Sequence, residues 1–464
     1  MPIVATLLAA TVAVDFNSEI GRIRPELHSS GFGPTICSCP EEMIEDVKSM
    51  GFKAARTHDW ALINPNQRVC DYFHIFPLMQ LDAKDPANYV FGPTDYLLKR
   101  TREETGLDIF FRLGTSIEHS GNVHFNALVP DDFDKVAEIF AATVRHYNKG
   151  WANGYDWGIK YWEIWNEPDG TDNMWCLPAD KGGGDDDKMR GLFVKFFVTV
   201  LKRLKSEFPD IKVGGPALCS WNLNMKYFSA ILDACREAGV APDFLSWHHY
   251  DSNPDYIMFA IDETRKLCDS YGFRDCELII NEWHYMGCSF AELRSNDPKV
   301  RKRVWEGPDG HNGIDSSCFN LALLSRFQTS KLDQSYYYGC RPVGVWGYMD
   351  ENRDKYKVYY GLKMFGDFVK RHQTICESSA TDGLTVIAAK ADGNPYRKGI
   401  IVTDYRAGTE EITVEVRGVP QWLAPRVWLH DHTHDMERLP VRFMDGKLKL
   451  KKPDTNSAAF AILF

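Results

Sequence analysis

Between about Leu27 and His372, short β-rich runs alternate with amphipathic helical stretches, and this alternation restricts the fold more than any other feature. The strand-like runs are LHSSGFG from Leu27, KAARTH from Lys53, DIFFRL from Asp108 and KYWEIW from Lys160, then IKVGG from Ile211, FLSWHHY from Phe244, ELIIN from Glu277 and VGVWGY from Val343. Eight strands with helices between them is the count of a closed parallel barrel. An α/β fold, a (β/α)8 TIM barrel, is therefore expected over residues 21–372. The helices show the matching period: Phe133, Val136, Ala137, Phe140, Val144 and Tyr147 fall on one face between Asp131 and Asn148. Further helices are expected from Lys188 to Glu207 and from Ser316 to Phe327.

After about Thr374 the texture changes. LTVIAAKA, GIIVTDY, EEITVEVRG, PRVWLHD and AAFAILF are short, alternating and separated by Gly, Pro and Asn, the pattern of an antiparallel β-sandwich. An accessory sandwich is expected over residues 373–464, joined by a strand from residues 1–20, where Val12 to Phe16 alternate. The Gly- and Asp-rich segment from Lys181 to Lys188 reads as a loop; its ligand spacing matches no calcium loop.

A net charge of -10 argues against nucleic acid as a partner. No apolar run is long enough to span a bilayer. The first residues, MPIVATLLAATVAVDF, lack the basic start of a signal peptide and read as a strand. Twelve cysteines show neither CxxC pairs nor zinc spacing, and Cys37 and Cys39 are too close for an easy bridge. Reduced, buried thiols and a cytoplasmic location are expected. A homo-oligomer is left open.

Two glutamates end strand-like runs. Asn166-Glu167-Pro168 follows the fourth run, and Asn281-Glu282-Trp283 ends the seventh. Side chains at the carboxyl ends of barrel strands line the mouth, and strands four and seven face each other across it. Glycoside hydrolysis needs such a pair: one carboxylic acid to protonate the leaving oxygen and one carboxylate on the other side of the sugar. A salt-bridged surface glutamate is the bland alternative for one such residue, and it weakens when both strands carry one.

These residues resemble clan A glycoside hydrolases. With AARTHDW at Ala54, EIWNEPDG at Glu163, IKVGGPALC at Ile211, APDFLSWHHY at Ala241 and LIINEW at Leu278, the chain resembles glycoside hydrolase family 39, the family of β-xylosidases and α-L-iduronidases. The resemblance implies a retaining exo-glycosidase with Glu167 as acid/base and Glu282 as nucleophile, most naturally a β-xylosidase. α-L-Iduronidase, α-L-arabinofuranosidase, β-galactosidase and β-glucosidase activities, or a non-catalytic sugar-binding barrel, stay open. The partner implied is an oligosaccharide or small glycoside, with no metal or organic cofactor.

By position, the resemblance assigns Asn166 to the sugar 2-hydroxyl, Arg56 to Glu282, His58 and His248 to sugar hydroxyls and Tyr250 to the nucleophile. Arg56 is expected to depress the Glu282 pKa, and burial to raise that of Glu167. Trp346, on the eighth run, reads as a platform under the sugar or as core. Trp175 falls where the family places an aromatic near the subsites. Arg112 either reads a substrate carboxylate or pairs internally. Arg294, Arg301 and Arg303 are further candidates for a cationic cradle. The run from His430 to His434 invites a metal, but a solvated strand end explains it as well.

Overall fold

The computed structural model describes residues 10–31, 41–60, 68–116, 127–170, 174–178, 181, 183–221, 225–339, 341–381 and 383–464. The opening residues 1–9 and the pair Cys37 and Cys39 lie outside that set. Eight parallel strands close into a barrel in sequence order. They are Ser29–Ser30, Ala54–Arg56, Asp108–Leu113, Tyr161–Ile164, Lys212–Leu218, Phe244–Asp251, Glu277–Tyr285 and Gln334–Tyr337. Seven correspond to the strand-like runs in the sequence.

The eighth strand differs from expectation. Barrel closure is made by Gln334–Tyr337, which pairs with both Ser29–Ser30 and the seventh strand. Gln334 and Ser335 make this segment read as loop, but their side-chain oxygens find partners inside the barrel: Ser335 Oγ donates to Leu27 O at 2.6 Å, and Tyr336 Oη donates to Gln334 Oε1 at 2.7 Å. The run from Val343 instead spans the end of the short strand Arg341–Val343 and the start of Gly347–Met349, a parallel pair outside the barrel sheet. Trp346 therefore sits in a connection beyond the eighth strand.

The helices obey their capping chemistry. Asp132 accepts from Lys135 N at 2.9 Å at the head of Phe133–Lys149, and Gly150, at φ +67°, ends that helix. Asp185 likewise caps Asp186–Glu207 through Lys188 N at 3.0 Å. Part of the acidic run after Lys181 is thereby used at a helix amino terminus, where carboxylates favour the dipole.

The remaining strands form one nine-stranded sheet. Its strand Ala10–Arg22 lies between Thr374–Ala380, to which it is antiparallel, and Glu411–Arg417, to which it is parallel. Alternation drives the pairing: Ala10, Val12, Val14 and Phe16 are buried in a core with Ile412, Val414, Leu448 and Leu450. The sheet is thus mixed, and it is continuous from edge to edge.

Helix Ile314–Phe327 is buried on nearly every face, as an apolar helix between two layers must be. One side meets the barrel and another meets the sheet. Cys318 is buried in it. Polar contacts fix the junction: Asp315 pairs with Arg406 at 2.6 Å, Ser317 Oγ meets His430 Nε2 at 2.9 Å, and Lys357 pairs with Asp435 at 2.7 Å. The His430 to His434 run is divided among separate partners. His430 is committed to Ser317, His434 Nδ1 to Asp431 at 2.9 Å, and His432 faces Asp454 at 3.4 Å. No helix among the described residues is long and apolar enough to cross a membrane.

Candidate active site

The carboxyl ends of the second, fourth, sixth and seventh strands converge on one polar cluster. Local backbone shape sets the first glutamate. Trp165 and Glu167 both have positive φ, +73° and +46°, a conformation that non-glycine residues hold only when their surroundings enforce it. Trp165 N donates to Leu113 O at 2.7 Å, and Glu167 N donates to Ala217 O at 2.9 Å. Gly114 makes the bend possible, since a Cβ there would stand 3.0 Å from the Trp165 ring. The result turns Trp165 outward into the helices and leaves Asn166 and Glu167 at the mouth.

The second glutamate is set by a bulge. Register between the sixth and seventh strands slips at His248, which pairs with Glu282. Tyr250 and His248 then both reach Glu282: Tyr250 Oη donates to Oε2 at 2.7 Å, and His248 Nδ1 lies 3.3 Å from the same oxygen. His248 Nδ1 also lies 2.8 Å from Glu167 Oε1, so one imidazole spans the two carboxyls. One oxygen of each carboxyl and that nitrogen all fall within 4.8 Å of one another. Two carboxyls this close can flank one glycosidic bond. This trio is also the set among the described residues able to share a metal ion, although a hydrogen bond from Nδ1–H accounts for the 2.8 Å contact.

Arg56 is the hub below them. Its Nη1 donates to Glu282 Oε1, its Nη2 to Asn166 Oδ1 and its Nε to Glu163 Oε2, each at 2.7 Å. The guanidinium is fully buried, and three planar donors matched to three acceptors give it one orientation. Asn166 keeps its Nδ2 without a partner among the described residues. His58 Nε2 lies 3.7 Å from Glu282 Oε1, and His58 Nδ1 is likewise unpartnered.

The electrostatics separate the two carboxyls. Burial pushes Glu167 up to about 7, and the nearby Asp59 charge adds to the rise. Burial also raises Glu282, against the pull of His248, Arg56 and the Tyr250 hydroxyl. Arg56 does contact Glu282 and pull its pKa down, as expected, but loss of water outweighs the cation and the net shift is upward. The contrast lies in contacts: Glu282 has a guanidinium and a phenol on its oxygens, whereas Glu167 meets an imidazole whose own basicity burial lowers.

The other sequence candidates divide. Trp346 is half-buried near the mouth, its ring 5.8 Å from Tyr250 and 4.6 Å from His311. Trp175 is not at the mouth. It is buried among Trp165, Phe193 and Phe196, each 5.2 Å away, and its indole donates to Met189 O at 3.2 Å. Residues 174–178 place the ring against the helix Asp186–Glu207, and burying it there outweighs presenting it to solvent. Arg112 is buried and pairs with Asp71 at 2.5 Å, the internal alternative. Arg303 pairs with Glu292, Arg301 stacks on Trp305 and Arg294 on Phe290, so these three form no joint cradle.

Two residues escaped the sequence reading, Glu163 and Ser246, as did the part that Asn281 plays beside them. Glu163 is fully buried and accepts from Arg56, Ser246 Oγ and Asn281 Nδ2, all at 2.7 Å. A charged residue inside the apolar run YWEIW was the available signal, because a carboxylate pointing into a barrel demands a partner.

Fold and site together define a (β/α)8 protein of the glycoside hydrolase class, with two carboxyls facing each other across the barrel mouth. The chain belongs to glycosyl hydrolases family 39, whose profile matches residues 10–273. It is 29% identical over 129 residues to a β-xylosidase of Geobacillus stearothermophilus, covering 27% of this chain and 22% of that protein. It is 25% identical over 225 residues to a β-xylosidase of Caldicellulosiruptor saccharolyticus, covering 44% and 38%. The chain thus matches well under half the length of either relative. The crystal structure of a glucosidase from Croceicoccus marinus shares the fold, with a TM-score of 0.75 at 19% identity over 98% of this chain and 99% of that one.

Proposed function

We propose that the protein is a retaining, exo-acting glycoside hydrolase whose substrates are β-xylosides. The observation that carries this reading is the pair Glu167 and Glu282, close to one another at the barrel mouth and held by different partners. Glu282 attacks the anomeric carbon while Glu167 gives its proton to the departing glycosidic oxygen. Glu167 then takes a proton from water, the water oxygen attacks the same carbon, and the bond to Glu282 breaks. Asn166, held by Arg56, has a free amide to donate to the sugar 2-hydroxyl, a contact that strengthens as positive charge develops at the ring. His58 and His248 line the same floor, and Trp346 offers an aromatic edge beside it. The β-xyloside assignment draws on the names of the two relatives.

Aryl glycosides test both parts. The β-xyloside is expected to give the highest kcat/KM in a panel with β-glucoside, β-galactoside, α-L-arabinofuranoside and α-L-iduronide. A 2-fluoro-xyloside is expected to leave one sugar on Glu282 by peptide mass spectrometry. A preferred substrate other than the β-xyloside would overturn the substrate, and no adduct from any member of the panel would overturn the mechanism.

Glu167 must enter the reaction protonated, so kcat/KM should fall as pH rises through about 7, where burial places this carboxyl in the free protein. A rate that holds flat to about pH 9 would mean that another group supplies the proton.

A further inference from the structure

We propose that Glu163 is a positioning residue for the nucleophile: it divides the Arg56 guanidinium with Glu282, fixing that cation in place and limiting how strongly it draws on the Glu282 carboxylate. The inference rests on the assignment of Glu282 as nucleophile.

The geometry is that of a relay. Glu163, on the fourth strand, has both oxygens committed: Oε2 to Arg56 Nε, and Oε1 to Ser246 Oγ of the sixth strand and Asn281 Nδ2 of the seventh. Arg56 comes from the second strand. One buried carboxylate thus joins four strands beneath the mouth, and two of them, the fourth and the seventh, end in the facing glutamates. Glu163 and Arg56 are both fully buried, with water excluded from the contact. A pair so buried is poor evidence for stability, because desolvation offsets the attraction, and it is better explained by what it orients.

The charge count gives the relay a chemical consequence. Arg56 faces two carboxylates, Glu163 and Glu282, through different nitrogens. A cation shared in this way stabilises the Glu282 anion less than an undivided one, and a less stabilised carboxylate is the stronger nucleophile. The other groups facing Glu282 are His58 beyond the second strand, Glu167 beyond the fourth, and His248 and Tyr250 on the sixth. Around Glu163 stand Tyr336 of the eighth strand, within its electrostatic reach, and Arg112 of the third, opposite in register but committed to Asp71. None of these touches both carboxylates of the Arg56 pair.

The test is Glu163→Gln, which keeps the volume and removes the charge. With Arg56 drawn wholly to Glu282, the acidic limb of kcat/KM is expected to move down by about one pH unit. Formation of the glycosyl intermediate from an aryl β-xyloside should slow by about three- to tenfold, while its hydrolysis should not slow, since a more stabilised carboxylate also leaves more readily. An acidic limb that stays put while both steps slow together would show a merely structural role and overturn the proposal. Glu163→Asp keeps the charge but withdraws it by one methylene. Its acidic limb should remain at the wild-type pH while intermediate formation slows at least about fivefold from loss of orientation. Wild-type rates in this variant, or a limb displaced as in Gln, would also overturn the proposal, so the Asp variant decides the matter even if Gln does not fold. If the wild-type protein gives no adduct on Glu282, the functional reading itself fails. An adduct in the wild type together with an unmoved limb in Glu163→Gln refutes the Glu163 proposal alone.

Discussion

Glu167→Ala should separate the two chemical steps. A glycoside with a very acidic leaving group departs without a proton, so formation of the covalent intermediate should remain fairly fast. Its hydrolysis needs a base to activate water, and the variant has none at that position. The intermediate should therefore accumulate, giving a burst of released aryl group followed by turnover slower by on the order of 10²–10⁴-fold, the range supplied by a positioned acid or base. Azide needs no base, and it should enter the space vacated beside His248, whose Nδ1 lies 2.8 Å from the native carboxyl. The product should be a glycosyl azide of retained configuration. Stopped-flow measurement of aryl release and analysis of the azide product check this, and a variant with no burst and no azide acceleration would remove Glu167 from the role.

Glu282→Ala should lose the first step for every substrate, whatever its leaving group. The distances leave no replacement: among the groups around Glu282, Arg56, His58, His248 and Tyr250 supply no second carboxylate, and Glu167 is engaged with the leaving oxygen. A loss of roughly 10⁵-fold or more in kcat is expected, comparable with removal of a nucleophile elsewhere. Azide should act from the face that Glu282 occupied, so any product should have inverted configuration. Rescue with retention, combined with the absence of a burst in Glu167→Ala, would mean that the two roles are reversed. A sugar adduct on a residue other than Glu282 in the native protein would refute the proposed mechanism itself.

Both variants act on a site whose outline was readable before the fold was known. Asn166-Glu167-Pro168 and Asn281-Glu282-Trp283 declare themselves because each ends an apolar run, and a barrel sends such ends to its mouth. His248 with Tyr250 was legible for a simpler reason, because residues two apart on a strand share a face, whereas His58 lies two residues past the end of Ala54–Arg56 and approaches Glu282 from there. Trp175 shows where this kind of reading stops. Its place in the chain suits a subsite wall, but whether an aromatic faces sugar or core depends on what packs behind it, here Phe193 and Phe196 from the next helix. The eighth strand was misplaced for a related reason. Gln334 and Ser335 look like loop residues until Leu27 and Tyr336 come close enough to hydrogen-bond their side-chain oxygens.

By itself, the sequence determined the alternating elements, the placement of Glu167 and Glu282 at the ends of apolar runs, and the alternation of Val12 to Phe16, because these follow from local periodicity along the chain. Tertiary structure alone decided which strand closes the barrel, that Arg112 is committed to Asp71, that one imidazole spans both carboxyls, and that Glu163 shares Arg56 with Glu282. Each of those outcomes depends on groups brought within about 3 Å from strands far apart in the chain, and on how much water their meeting excludes.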